Sequence, residues 1–257
     1  MSATDLDDLT RVLKRLRLSG VLQSLDLRVH DATDGRLSYD EFLRRVLRDE
    51  LDRRDGKQLD LRIRRANFEH ERTLEGFDFS FNPEIPREKV IALGSCAFLH
   101  QRENVLFLGP TGTGKSHLAQ ALGHRACRLG HAVRFIAAQD LFAELRVARG
   151  DGTWDRKLER LIDVELLIID DLGLRPLRGD EPYDLHEVVR HRHQKRSTIL
   201  TSNRAVSEWD AMFPDALLAA ATVDRLLQDA TVLLLTGDSF RNPPSTKRRH
   251  SAPANRA

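Results

Sequence analysis

Residues 109–116 read GPTGTGKS, a glycine-rich octet set between an apolar run, Val105-Leu106-Phe107-Leu108, and a helix-like stretch that starts near Lys115. The spacing G-x-x-x-x-G-K-[S/T] between a strand and a helix constrains the fold more than any other feature of the chain. Gly109, Gly112 and Gly114 let the backbone turn so that successive N–H groups face inward and cradle phosphates. Pro110, Thr111 and Thr113 complete the loop, and the helix start at Lys115, Ser116 and His117 adds a dipole that favours an anion. Lys115 is placed to reach the β- and γ-phosphates of a nucleotide and the Ser116 hydroxyl to hold Mg²⁺. A chance glycine turn would not bring the flanking strand and helix with it.

Such a loop needs a second, acidic site. Leu166-Leu167-Ile168-Ile169-Asp170-Asp171 is a continuous apolar run ending in two carboxylates, the pattern of a parallel strand buried on both faces. Its C-terminal end is expected beside the glycine loop, where open α/β sheets bind ligands. Asp170 is expected in the Mg²⁺ shell and Asp171 as the group that orients the attacking water. Asp171 is one methylene shorter than the Glu common at that place, which predicts slow turnover. Ser197–Asn203 reads as another buried strand; its terminal Asn203 is either a sensor of the γ-phosphate or an amide at a turn.

Five strands are expected, near Val105–Leu108, Ala132–Ile136, Glu165–Ile169, Thr198–Ser202 and Thr231–Leu235, alternating with helices. Their order predicts an α/β fold: a P-loop NTPase of the AAA+/ASCE kind, a parallel sheet with helices on both faces, preceded by a small helical N-terminal domain. Four stretches are expected: a helical domain over 1–72 for partner or DNA contact, a connector over 73–104, the ATPase domain over 105–241, and a basic, disordered tail over 242–257. In the first stretch Leu9, Val12, Leu13, Leu16 and Leu18 mark an apolar face broken at Ser19-Gly20. Ser38 with Glu41 forms a capping-box pattern, and Phe42, Val46 and Leu47 are expected inside. The connector carries Phe77, Phe79 and Phe81 at alternate positions, either beside a base or as a core plug.

The net charge of +2 over 257 residues gives no global argument for nucleic acid. The two cysteines, Cys96 and Cys127, are expected to be reduced and structural, consistent with a cytoplasmic location, and neither a targeting peptide nor a membrane span is recognisable. His186-Glu187-Val188-Val189-Arg190 has arginine where a zinc protease motif needs its second histidine, so His186, His191 and His193 are read as surface residues. Two basic groups are candidates for sequence-independent phosphate contacts on DNA: Arg146, Arg149, Arg156, Lys157 and Arg160, and Arg62, Arg64 and Arg65. The alternative for each is a solvated helix face. Arg225, on a helix before the last strand, is the candidate for an arginine acting on the nucleotide of a neighbouring copy; the role of Arg241 is left open. The residues after it are too few for a further helical lid.

Together GPTGTGKSHLAQALG, LLIIDDLGLRPL, STILTSNRAVSEW and AAATVDRLLQDA resemble the IstB-like helper ATPases of insertion elements, and LKRLRLSGVLQSL and LSYDEFLRRVLRDE extend the resemblance into the N-terminal part, over residues 9–241. The family is related to DnaC-type helicase loaders. The resemblance implies an ATPase that uses ATP and Mg²⁺, forms a ring or spiral homo-oligomer on double-stranded DNA, and recruits and stimulates a partner transposase. It implies nucleotide binding by Gly109, Gly112, Gly114, Lys115 and Ser116, metal and water roles for Asp170 and Asp171, a sensor role for Asn203 and a trans-acting role for Arg225. A replicative helicase loader is the alternative; a small-molecule P-loop kinase is a third reading, disfavoured by strand order.

Overall fold

The computed structural model describes residues 3–237 and 239–240, with side chains from Asp7 onward. Arg241 and the 242–257 tail lie outside the described residues. The chain divides into two compact units between Leu61 and Arg62, rather than at 72, so the connector belongs with the nucleotide-binding part.

The first unit is built from α1 (Ala3–Arg15), α2 (Ser19–Gly35) and the greater part of α3 (Tyr39–Ala66). Leu13, Val21 and Val46 are buried, with Leu9, Leu18, Leu22, Leu25 and Phe42 packed around them. Val12, Leu16 and Leu47, expected inside, are exposed. The reason is size: three helices bury a narrow seam, and these three positions fall beside it. The Ser19-Gly20 break starts α2, whose first amides have no cap from their own side chains. Glu50 of α3 supplies one, accepting from Gly20 N and Val21 N. A Cβ on Gly20 would stand 2.8 Å from Glu50 Cα, so glycine is what lets the helices approach. Arg28 of α2 adds a two-pronged bond to Asp49 at 2.8 Å for each contact. Ser38 caps α3 by accepting from Glu41 N at 3.4 Å, while the Glu41 carboxylate turns to Arg45.

The second unit carries a five-stranded parallel sheet: β1 (Val105–Leu108), β2 (Val133–Ala137), β3 (Leu166–Leu172), β4 (Ser197–Ser202) and β5 (Thr231–Leu234), in the order β2-β3-β4-β1-β5. All five expected strands are present within a few residues, and β4 lies between the acidic strand β3 and the loop strand β1. Short α4 (Arg87–Leu93) and α5 (Ala97–Gln101) precede β1. One sheet face packs against α7 (Ala138–Gly150), α8 (Trp154–Asp163), α9 (Glu181–Arg192) and α10 (Ala216–Leu227), through Leu106, Leu108, Leu167, Ile169 and Leu200. The other receives α6 (Lys115–Arg128), where Gly123 meets Ile168. Strands enclosed on both sides must be apolar throughout, which is why β1 and most of β3 do not alternate.

Arg192 is 1% exposed and closes the N-terminal edge of the sheet. Its guanidinium donates to the carbonyls of Leu161, Ile162, Val164, Glu165 and Ser197 and to Thr198 Oγ1, collecting the end of α8 and the starts of β3 and β4. Cys96 and Cys127 are free and buried, and burial pushes both thiols up to about 11, so they are inert packing groups. Among the described residues no helix is long and apolar enough to cross a membrane.

Candidate nucleotide site

The glycine loop leaves β1 where Gly109 N donates to Ser202 O. Gly109 holds φ +140°, and a Cβ there would lie 2.0 Å from Leu235 O, so the approach of the chain after β5 excludes any side chain. Gly114, at φ +98°, opens α6 and is pressed against Phe77, whose ring edge would be 2.6 Å from a Cβ. No side chain among the described residues caps the N-terminus of α6, so its amides are open to an anion. Pro110 O accepts from both Thr113 Oγ1 at 2.9 Å and Lys115 Nζ at 2.7 Å, which draws the ammonium over the loop.

Against this loop stand the carboxylates of β3. The ladder between β3 and β4 slips in register between Ile169 and Leu172, and Asp171 sits there with φ +56°. Thr201 of β4, fully buried, ties the slip together. Its hydroxyl donates to Asp170 Oδ1 at 2.6 Å and accepts from Asp171 N at 2.8 Å. Asp170 is itself buried. Burial raises its carboxyl above the ordinary range, helped by the negative charges of Asp171 and Glu69 and opposed by bonds from Thr201 and Ser116.

A buried carboxylate facing a serine hydroxyl is a hard oxygen pair that fits Mg²⁺, which takes one or two carboxylates plus phosphate oxygens and water. Among the described residues no group of three or more His, Cys, Asp or Glu could hold a metal by itself. The fit is to a metal arriving with phosphates.

Loop and carboxylates line a cavity of about 480 Å³ that also contains Thr111 through His117, Gln120 and Ala137. Its other wall is the segment 69–85, with Glu69, His70, Arg72, Phe77, Asp78, Phe81, Asn82 and Ile85, and Phe240 from beyond β5. Phe77 and Phe81 are thus cavity residues, while Phe79 packs on the edge of Phe77 and under Arg87. Three α6 side chains on one helical face hold the backbone of residues 70–73. His117 Nε2 donates to Thr73 O, Gln120 Oε1 accepts from His70 N, and His124 Nε2 donates to His70 O. Burial lowers both histidines, so each is neutral at pH 7 and donates from its Nε2–H tautomer.

The remaining expected residues fall elsewhere. Asn203 directly follows β4, between the ends of β1 and β3, but is exposed and not part of the cavity wall. Arg225, in the last turn of α10, lies at the opposite edge of the sheet: its carbonyl accepts from Asn104, which precedes β1, and its guanidinium folds back to Ala221 O. Two residues of the basic groups are ion-paired within the fold. Arg149 pairs with buried Asp184, which needs a counter-charge, and stacks over Trp154 at 4.6 Å, and Lys157 pairs at 2.6 Å with half-buried Glu144, which also meets Arg134. Arg146, Arg156 and Arg160 are exposed and make no ion pair among the described residues. Arg64 and Arg65 are exposed at the end of α3, and Arg62 is half-buried. His186 and His193 are half-buried rather than surface residues, bonded to Thr222 Oγ1 and Arg225 O, which fixes α9 to α10; His191 is half-buried too.

Thr201, Glu69, Arg72, Asn82 and Gln120 were not singled out from the sequence. β4 carries four hydroxyl residues, Ser197, Thr198, Thr201 and Ser202, so its sequence did not set Thr201 apart, and the other four offered no signal.

A family model described as IstB-like ATP binding protein matches residues 11–249. The chain is 37% identical to an ATP-binding protein of insertion sequence IS21 from Pseudomonas aeruginosa, covering 91% of this chain and 88% of that one. It is 36% identical to an insertion-sequence ATP-binding protein from Mycobacterium tuberculosis, covering 91% and 93%. In fold it is similar to the crystal structure of DnaI, with a TM-score of 0.56 at 20% identity over 66% of this chain and 90% of that one. It is likewise similar to the DnaC helicase loader, with a TM-score of 0.52 at 21% identity over 64% and 96%.

Proposed function

The chain belongs to the IstB-like ATP-binding protein family, and on that premise we propose that it is an ATP-driven switch that assembles on duplex DNA and recruits a partner transposase, in the cytoplasm. The observation that carries this reading is the placement of two charged groups on one sheet. Lys115 follows the C-terminal end of β1, whereas Arg225 is bonded to Asn104 at its N-terminal end. At roughly 3.3 Å per residue the four-residue strand alone separates the two edges by about 13 Å. In this reading Arg225 stands too far from the cavity of its own chain to serve it and acts on the cavity of another copy.

In this reading Lys115 and the α6 amides hold the phosphates, and Ser116 and Asp170 hold Mg²⁺. The metal would withdraw charge from the β- and γ-oxygens. Thr201 fixes the Asp171 backbone so that its carboxylate faces the water, and Arg225 of the next copy meets the charge developing on the γ-phosphate. Assembly repeats exposed arginines along the duplex and turns weak phosphate contacts into avidity. The fold likeness to DnaI and DnaC supports the ATPase core and says nothing about the partner.

Light scattering with a non-hydrolysable ATP analogue, with and without a duplex, tests this. Nucleotide should raise the particle size. Lys115→Ala should lose both nucleotide binding and nucleotide-dependent DNA binding, while Arg225→Ala should bind nucleotide yet neither assemble nor hydrolyse. Tight nucleotide-independent DNA binding by Lys115→Ala, or normal assembly of Arg225→Ala, would remove the proposal.

A further inference from the structure

We propose that Arg72 is a second phosphate-binding cation of the cavity, donating from the wall across from the glycine loop to the polyphosphate held by its own chain. This rests on the nucleotide reading of the cavity and adds a contact that lies outside the loop motif. Charge makes the case first. Glu69, Asp78, Asp170 and Asp171 line the cavity, and against them stand the fixed cations Lys115 and Arg72. A polyphosphate brings further negative charge into that space, and charge removed from water must meet an opposite charge or a hydrogen-bond donor. Lys115 stands over the loop, with Nζ 2.7 Å from Pro110 O. Arg72 belongs to the other wall, so the phosphates would lie between the two.

The backbone on either side of Arg72 is fixed to α6. His70 N donates to Gln120 Oε1 at 3.0 Å, His124 Nε2 donates to His70 O at 3.3 Å, and His117 Nε2 donates to Thr73 O at 3.2 Å. The helix so gripped is the one whose first amides are open to an anion. The Arg72 charge reaches His117, in the first turn of that helix.

The guanidinium itself is exposed and makes no hydrogen bond or ion pair among the described residues. Glu69 and Glu71 are close in sequence, yet neither pairs with it among the described residues. Arginines whose work is internal look different here. Arg28, Arg175 and Arg190 each end in a two-pronged bond to a carboxylate, on Asp49, Glu181 and Glu187. A held backbone carrying an uncommitted planar fork of five N–H donors suits phosphate oxygens, which accept two parallel bonds from such a group.

The test is competition against a fluorescent ADP analogue by ATP, ADP and inorganic tripolyphosphate, on the full-length wild type, Arg72→Gln and Arg72→Lys. Duplex binding is measured beside it at saturating ATP analogue. Arg72→Gln should weaken all three competitors by about tenfold or more, as loss of a bond to a charged group requires. Arg72→Lys keeps the charge without the fork and should fall between wild type and Arg72→Gln. The melting temperatures should match, because the head group is exposed. Affinities of Arg72→Gln within about twofold of wild type overturn the proposal. So does a loss confined to ATP and ADP, which would mean a contact to base or sugar, and so does unchanged nucleotide affinity with weaker duplex binding. A wild type that binds ATP through Lys115 and is indifferent to Arg72 leaves the switch standing; a wild type that binds no ATP sinks both.

Discussion

Thr201→Val removes one hydroxyl and almost nothing else, because valine has nearly the same shape. The structure states what is lost. Asp170 loses a 2.6 Å bond to its carboxylate, and the half-buried Asp171 amide loses its acceptor at 2.8 Å. A hydrogen bond to a charged group contributes about 1.5–3 kcal/mol, and a stranded buried donor costs about 1–3 kcal/mol. Some relaxation leaves a net loss of roughly 3 kcal/mol, which for a unit of this size lowers the melting temperature by about 6–12 °C. Asp170, already raised by burial, would bind protons more readily still. Differential scanning fluorimetry and steady-state ATPase assays on Thr201→Val and Thr201→Ser measure both consequences. The valine variant should bind ATP within about threefold of wild type but turn over at least about tenfold more slowly, losing groups used only in the transition state. The serine variant keeps the hydroxyl and should stay within about threefold in both assays. A valine variant with wild-type turnover, or a serine variant as impaired as the valine one, would refute the positioning role.

Other outcomes follow from the packing. Gly20→Ala should destabilise the helical unit by about 1–3 kcal/mol, because the new methyl meets Glu50 Cα at 2.8 Å; circular dichroism melts would register it. In the same unit burial opposes ionisation of Glu50, but bonds from Arg54, Gly20 N and Val21 N outweigh it and hold the carboxyl down at about 2. A depressed folded-state value means that stability is complete above the ordinary carboxylate range and is lost as pH falls from about 4.5 toward 2; acid titration of the wild type followed by circular dichroism should show this, and Glu50→Gln should flatten it. Arg192→Met should leave five carbonyls without this donor and cost about 3–5 kcal/mol, read as lost expression or a large drop in denaturant midpoint.

What could be read from the sequence was what the chain encodes locally. The octet, the enclosed runs at Leu166–Ile169 and Ser197–Ser202 and the sequence of strands were enough to place the loop beside the two aspartates. The segment over 69–85 was not readable in the same way. Its grip on α6 joins Thr73 to His117 and His70 to Gln120 and His124 across 44 to 54 residues, and it uses backbone carbonyls and amides that any sequence supplies. Surface pairing was hidden for a related reason. Arg149 and Lys157 look like their neighbours in the sequence, and only the tertiary positions of Asp184 and Glu144 give them ion-pair partners. The apolar spacing of the first helix marked a face but not its width, so Leu13 went in while Val12 and Leu16 stayed out.

The glycine loop is wedged between two strangers to the motif. Leu235 O crowds Gly109, Phe240 N donates to Gly112 O at 2.9 Å, and Phe77 abuts Gly114. A fragment trimmed to 105–234 would retain every signature a motif search looks for, yet it would lack both jaws of the vice. Such a minimal piece should fail to retain nucleotide on a filter, and adding back 68–104 and 235–240 should restore capture.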